Sequence, residues 1–95
     1  YGDMNWIITG KILALAGPME GVFPVEEFIE FGKKNKIVAM IRLNRETYDS
    51  SIVTNSNINH YEMFIQDGFT PSLIQIETFY KIADAAWNVG AIAVH

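Results

Sequence analysis

Few side chains in this 95-residue sequence are suited to catalysis or metal binding, since it contains no cysteine and only two histidines, His60 and His95. His60 and Glu62 would share one face of a predicted strand, but a zinc site would need a further ligand from elsewhere. The ordinary alternative is a half-buried strand histidine whose ring is hydrogen-bonded, and this is the reading we favour for His60. Glycine-rich phosphate loops of the Walker or dinucleotide type are absent from the sequence.

Asp67 follows a predicted strand and precedes Gly68 and a helix start. Its position alone favours turn chemistry, because Asp and Gly tolerate tight backbone geometry. The functional alternative is a general acid on a loop at the carboxyl edge of a sheet. Arg42 and Asn44 present a similar choice after an earlier strand. They could serve a site at that edge, or they could order the loop that follows.

The elements that would position these residues alternate between strands and helices. The apolar pattern predicts strands over 6–8, 12–16, 37–41, 58–65 and 91–94, and helices over 24–34 and from Thr70 to about residue 88. Thr70 is the predicted N-cap and Pro71 the first helical residue. The last helix carries a stripe that consists of Ile76, Phe79, Tyr80, Ala83, Ala86 and Trp87. The polar connection over 45–59 could hold a short helix.

The uninterrupted apolar run over 37–41 indicates a strand that is covered on both faces, as in a parallel sheet. Alternation of strands and helices predicts an α/β layer fold with parallel strands. Functional sites in such folds lie at the carboxyl ends of the strands, which is where His95 stands.

Composition limits the class of protein. The length allows one domain at most. The net charge of −4 and pI near 4.9 disfavour nonspecific nucleic-acid binding, which needs a basic surface. No apolar run approaches the roughly 20 residues of a membrane span. We therefore expect a soluble domain without nucleic-acid or membrane partners, and the lack of cysteine favours a reducing compartment.

Four segments of the sequence are recognisable together. They are GDMNWI at 2–7 with GK at 10–11 and GP at 17–18, IRLN at 41–44, HYEMFI at 60–65 with DGFTP at 67–71, and GAIAVH at 90–95. Their order and spacing resemble the catalytic domain of the cell-division-cycle-fourteen family of dual-specificity, cysteine-dependent protein phosphatases. The resemblance spans nearly the whole chain.

This resemblance implies a protein-tyrosine-phosphatase-like fold, with a central, mostly parallel sheet flanked by helices. It implies that residues 1–95 are the N-terminal part of the catalytic domain. In this family a cysteine thiolate attacks phosphorus and forms a phosphocysteine intermediate. His95 would immediately precede that cysteine, and Asp67 would be the general acid that protonates the leaving oxygen. The cysteine, the arginine of the phosphate loop and the C-terminal helices are expected beyond His95.

The resemblance also implies the substrates and the setting. They are phosphoserine and phosphothreonine, above all Ser-Pro sites made by cyclin-dependent kinases, and phosphotyrosine. No cofactor or metal is implied, and no substrate-binding residue is assigned. The protein would act in mitotic exit and cell division, in the nucleus or cytoplasm. Its partners would be phosphoprotein substrates, and it would contact a preceding domain and the C-terminal part of its own domain.

Two features depart from the family pattern. Phe69 stands where a small polar residue is expected, and the connection over 17–24 is short. A competing hypothesis is a pseudophosphatase or phosphopeptide-binding module that lacks the nucleophile. A further alternative is an α/β domain unrelated to phosphate chemistry.

Overall fold

Strands and helices alternate along most of the chain. The computed structural model describes residues 4–19, 21–66 and 68–95. In chain order the elements of these residues are β1 (Met4–Ile8), β2 (Ile12–Leu15), α1 (Val25–Lys34), β3 (Ile37–Arg42), α2 (Ser50–Thr54), β4 (Asn59–Glu62), α3 (Leu73–Trp87) and β5 (Ala91–Val94).

The five strands form one sheet in the order β1-β2-β5-β3-β4. β1 and β2 are an antiparallel hairpin, whereas β2, β5, β3 and β4 run parallel to one another. β5 is the last strand along the chain, yet it lies in the middle of the sheet, between β2 and β3. The predicted mostly parallel α/β fold is therefore confirmed.

The sheet is covered by helices on both faces, and β3 contributes to both. Met40 packs with Phe28 of α1 and Val53 of α2, whereas its neighbour Ile41 packs with Ala83 of α3. Met40 and Ile41 are both 0 % exposed, because successive side chains of a strand point to opposite faces. The prediction that the 37–41 run is a strand buried on both faces is confirmed.

Helix α1 begins at Val25, one residue after the predicted start, because Pro24 is its N-cap, and the charges of the helix complement its dipole as predicted. Glu26 and Glu27 lie in the first turn, and Lys33 and Lys34 lie in the last. The short helix considered for the polar connection is also present as α2, which begins after Asp49. The carboxylate of Asp49 accepts a hydrogen bond from the Ser51 backbone N–H at 2.9 Å and so caps the helix.

The predicted start of the last helix is wrong by two residues. The N-cap of α3 is Ser72, not Thr70, and Pro71 lies outside the helix. The Ser72 hydroxyl accepts from the Gln75 backbone N–H at 3.1 Å, and the Gln75 side chain accepts from the Ser72 backbone N–H at 2.8 Å. This reciprocal capping box satisfies two backbone donors at once, which explains why the helix begins after Ser72.

The predicted apolar stripe of α3 is only partly buried. Ile82, Ala83 and Ala86 are buried against the sheet, but Ile76 and Tyr80 are 38 % and 59 % exposed. The first half of the helix instead borders an open apolar groove. That groove is lined by Leu43, Met63, Ile65, Pro71, Gln75, Ile76, Phe79, Tyr80 and Val94.

Strand β4 is shorter than the predicted 58–65. Its ladder is continued beyond Glu62 by two backbone hydrogen bonds, from Met63 to Arg42 at 2.9 Å and from Ile65 to Leu43 at 2.8 Å. These bonds keep the segment after β4 beside the segment after β3.

Among the described residues, no helix combines the length and the apolar character that crossing a bilayer requires.

Candidate active site

Three neighbouring parallel strands end together and place polar residues at one edge of the sheet. β3 ends at Arg42 and β4 ends at Glu62, while His95 directly follows β5. The backbone N–H of His95 donates to Ile41 at 3.1 Å, and its carbonyl accepts from Leu43 at 2.6 Å. The backbone of His95 is therefore fixed in the sheet at the edge where α/β folds build their sites.

Tyr48 connects the two histidines across this edge. Its hydroxyl lies 2.7 Å from Nε2 of His60 and 2.7 Å from Nε2 of His95. The rings of Tyr48 and His60 meet edge to face, with centroids 5.6 Å apart. The favoured reading of His60 is confirmed, because its ring is hydrogen-bonded and its side chain is 2 % exposed. Sequence reasoning missed Tyr48, although it is the one aromatic residue of the polar connection over 45–59.

Arg42 orders the connection that carries Tyr48. Its guanidinium Nε donates to Glu62 Oε1 at 2.8 Å, and Nη2 contacts the second carboxylate oxygen. Nη1 donates to the backbone carbonyl of Tyr48 at 3.1 Å, and the guanidinium carbon lies 4.7 Å above the Tyr48 ring. Arg42 is 2 % exposed, and Glu46 contributes a weaker ion pair at 3.9 Å. Of the two roles considered for Arg42, loop ordering is therefore confirmed.

The electrostatics of the cluster keep both histidines neutral near pH 7. Burial, with the nearby His60 and Arg42, lowers the pKa of His95 to about 4. Burial and Arg42 likewise lower the pKa of His60. Burial raises the pKa of Tyr48, so its hydroxyl stays protonated and can donate. The hydrogen bonds from Arg42 lower the pKa of Glu62, which stays ionised.

Gly17 makes room for the ring of His95. A Cβ atom on Gly17 would lie 2.6 Å from Nδ1 of His95, closer than van der Waals contact allows. Gly17 also has a φ of 89°, a conformation that residues with a Cβ rarely adopt. In the described part of the chain, Nδ1 of His95 is buried and has no hydrogen-bond partner.

A cleft opens beside the cluster, between the segments that follow β3 and β4. Its volume is about 450 Å³, and it is lined by Asn44, Arg45, Thr47, Phe64, Ile65 and Gln66. Asn44 is exposed in this cleft, and its role in a site at this edge stays a prediction. The polar side chains of this cleft, including Arg45, follow β3 and β4 at the same carboxyl edge of the sheet at which His95 follows β5.

Asp67, the predicted general acid, lies outside the described residues. The structure therefore does not test whether Asp67 is a turn residue or a general acid, and its acid role stays a prediction. Phe69 is 67 % exposed, and its backbone N–H donates to the Gln66 carbonyl at 2.9 Å. The bulky ring at this departure from the family pattern is thus accommodated at the surface.

The zinc hypothesis for His60 has no support in the described part of the chain. Within those residues, no group of three or more His, Cys, Asp or Glu side chains could hold a metal ion. Both described histidines direct Nε2 to Tyr48, and the Glu62 carboxylate is engaged by Arg42.

Curated proteins similar to this chain are CDC14 phosphatases of several species. The dual specificity protein phosphatase CDC14A of Homo sapiens is 37 % identical over 102 residues, which cover 99 % of this chain and 17 % of the human protein. The tyrosine-protein phosphatase cdc-14 of Caenorhabditis elegans is 36 % identical, over 99 % of this chain and 14 % of that protein. The chain belongs to the CDC14 family of dual specificity phosphatases. The resemblance of the four segments is thus confirmed.

A fungal CDC14 protein and a solved phosphatase structure are also similar to this chain. The CDC14 homolog of Schizosaccharomyces pombe is 30 % identical over 99 % of this chain and 20 % of that protein. The chain therefore spans a fifth or less of these relatives. A putative protein tyrosine phosphatase from Leishmania major superposes with a TM-score of 0.70 at 18 % identity, over 87 % of this chain and 57 % of that one. The fold is that of protein tyrosine phosphatases. No family model matches the chain.

Proposed function

We propose that this CDC14-family chain is the N-terminal part of the catalytic domain of a cysteine-dependent dual-specificity protein phosphatase. The observation that carries the proposal is the identity of 30–37 % to CDC14 phosphatases over 99 % of the chain. The position of His95 supports it, since its backbone is held at the carboxyl end of the central strand β5.

In this proposal the nucleophile is a cysteine that directly follows His95. Its thiolate attacks the phosphorus atom, the bond from phosphorus to the substrate oxygen breaks, and a phosphocysteine forms that water then hydrolyses. Asp67 donates the proton that the leaving oxygen needs, because a serine alkoxide is a poor leaving group. The phosphoryl oxygens are bound by backbone amides and an arginine of the loop that follows the cysteine.

His95 would act in this site as a neutral residue. Its pKa of about 4 leaves the imidazole uncharged at physiological pH in the cluster with Tyr48, His60 and Arg42. Its contribution would be to fix the entry of the phosphate loop through its sheet hydrogen bonds and its bond to Tyr48. Lowering of the thiol pKa would then come mainly from loop amides and a helix N-terminus.

The proposed substrates are phosphoproteins with phosphoserine-proline sites made by cyclin-dependent kinases, together with phosphothreonine and phosphotyrosine. The proposed setting is cell division, in the nucleus or cytoplasm. The cleft between the segments that follow β3 and β4 offers Arg45 and Asn44 as polar lining for such a peptide. Imaging of the fluorescently tagged full-length protein through mitosis would check the location.

Tandem mass spectrometry of the peptide that contains His95, from the source organism, tests the proposal first. We expect cysteine directly after His95 and arginine six residues after it. Phosphate release from a phosphoserine-proline peptide by the full-length protein is the second measurement. If another residue stands in place of the cysteine, this mechanism is excluded, and tight binding of the peptide without turnover would favour a phosphopeptide-binding module.

A further inference from the structure

The hydroxyl of Tyr48 couples the proton positions of two histidines. A phenol carries one proton, so it donates to one partner and accepts from another. Nε2 of His60 and Nε2 of His95 both lie 2.7 Å from this oxygen. Met40 Sδ lies 3.4 Å away but is a weak acceptor. For two neutral rings, one Nε2 must accept the Tyr48 proton and the other must carry its own.

Glu62 decides which histidine accepts. Its Oε2 lies 3.7 Å from Nδ1 of His60, and the carboxylate is ionised and held by Arg42. Arg42 offsets part of this charge, but the carboxylate oxygen that faces Nδ1 favours a proton on that nitrogen, which leaves Nε2 of His60 as the acceptor of the Tyr48 hydroxyl. The Tyr48 oxygen is then free to accept the Nε2–H of His95.

We propose that His60, oriented by Glu62, is a positioning residue that acts through Tyr48 and fixes His95 as the tautomer with its proton on Nε2. The buried Nδ1 of His95 then carries a lone pair beside Gly17. It can accept a hydrogen bond but cannot donate one. The catalytic part of this inference rests on the proposed function. In that function, Nδ1 of His95 would accept a hydrogen bond from a backbone N–H of the phosphate loop.

Nitrogen-15 NMR of the histidine rings in the full-length protein tests the tautomers directly, because protonated and bare ring nitrogens have well-separated shifts. At pH 7 we expect His95 to be protonated on Nε2 and His60 on Nδ1. In Tyr48→Phe the coupling is removed, and His95 should become a mixture of tautomers. Tyr61→Phe is the matched control, since Tyr61 is partly exposed on β4 and should leave both rings unchanged.

Rescue separates positioning from simple packing. The side-chain carbonyl of glutamine can still accept the Tyr48 proton, so His60→Gln should retain the wild-type tautomer of His95. His60→Leu should lose it. In the proposed phosphatase reaction, His60→Leu and Tyr48→Phe should lower kcat about tenfold, the value of one hydrogen bond, whereas His60→Gln should stay within about threefold of wild type.

The outcomes distinguish this inference from the proposed function. A His95 ring protonated on Nδ1, or a Tyr48→Phe protein with unchanged tautomers, overturns the inference whether or not the protein is active. A protein without phosphatase activity whose rings behave as expected leaves the inference standing and removes the proposed function.

Discussion

Replacement of Gly17 with alanine should disturb His95 through one methyl group. The new Cβ would lie 2.6 Å from Nδ1 of His95, and Gly17 has a φ of 89°. The positive φ alone costs about 1–2 kcal/mol for a residue with a Cβ. Displacement of the ring, by the steric conflict and by the weakened bond to Tyr48, would add about 1–2 kcal/mol. We expect a total loss of about 2–4 kcal/mol from the free energy of unfolding.

Gly10 provides the matched control for this substitution. It has a φ of 75°, but nothing lies within 4 Å of the position that its Cβ would take. Gly10→Ala should therefore carry the backbone penalty and spare His95. Both variants reduce the freedom of the unfolded chain equally, so this contribution cancels in the comparison. The difference between the two variants isolates the contact with the imidazole.

Calorimetry of the full-length protein measures this difference. A gap of about 1–2 kcal/mol corresponds to a shift of roughly 2–8 °C in the melting temperature of a phosphatase-sized domain. When Gly17→Ala is added to His95→Ala, it should cost no more than Gly10→Ala costs in the wild type, because the clashing ring is gone. Equal destabilisation by Gly17→Ala and Gly10→Ala would refute the reasoning, since the contact with His95 would then carry no energetic weight.

Three further predictions concern catalysis, pH and capping. In the full-length protein, Asp67→Asn should strongly reduce the turnover of phosphoserine peptides. The turnover of aryl phosphates should fall much less, because aryl leaving groups need little protonation. Equal losses on both substrates in steady-state assays would show that Asp67 is not the general acid. Because the folded pKa of His95 lies below its unfolded value near 6.5, the unfolded chain binds more protons, and stability should fall as pH drops from about 6.5 to 4. Urea unfolding at several pH values in that window measures the change. In His95→Gln the free energy of unfolding should vary less with pH than in wild type, and an equal variation would contradict the pKa assignment. Ser72→Ala should cost about 1 kcal/mol by loss of the capping box, whereas Thr70→Ala should cost little; thermal melts that rank them the other way would contradict the observed helix start.

Elements defined by unbroken apolar runs were predictable from the sequence. The runs over 37–41 and 91–94 became β3 and β5, because a strand covered on both faces has no polar positions that would obscure the pattern. Helix ends were harder. Thr70-Pro71 and Ser72-Gln75 are both good start signals, and only the reciprocal hydrogen bonds of Ser72 and Gln75 decide between them.

The candidate site was predictable in position but not in composition. His95 was placed at the carboxyl edge because parallel strands end there together, and the structure agrees. The role of Tyr48 was not predictable, because a phenol in a polar connection gives no local signal of the two rings it will join. Arg42 was ambiguous for the same reason. Its loop-ordering role depends on Glu62, which lies on another strand 20 residues later.

The central place of β5 also constrains how the chain can fold as it is synthesised. β5 pairs with β2 on one side and with β3 on the other, so Ile92 meets Ile12 from the opposite end of the sequence. Until residues 91–94 leave the ribosome, the β1–β2 hairpin and the β3–β4 pair are separate pieces, each with an unpaired inner edge. Such late, non-local pairing slows folding and leaves edges open to other chains. The two halves of the sheet therefore stay unjoined until β5 pairs with the inner edges of both β2 and β3.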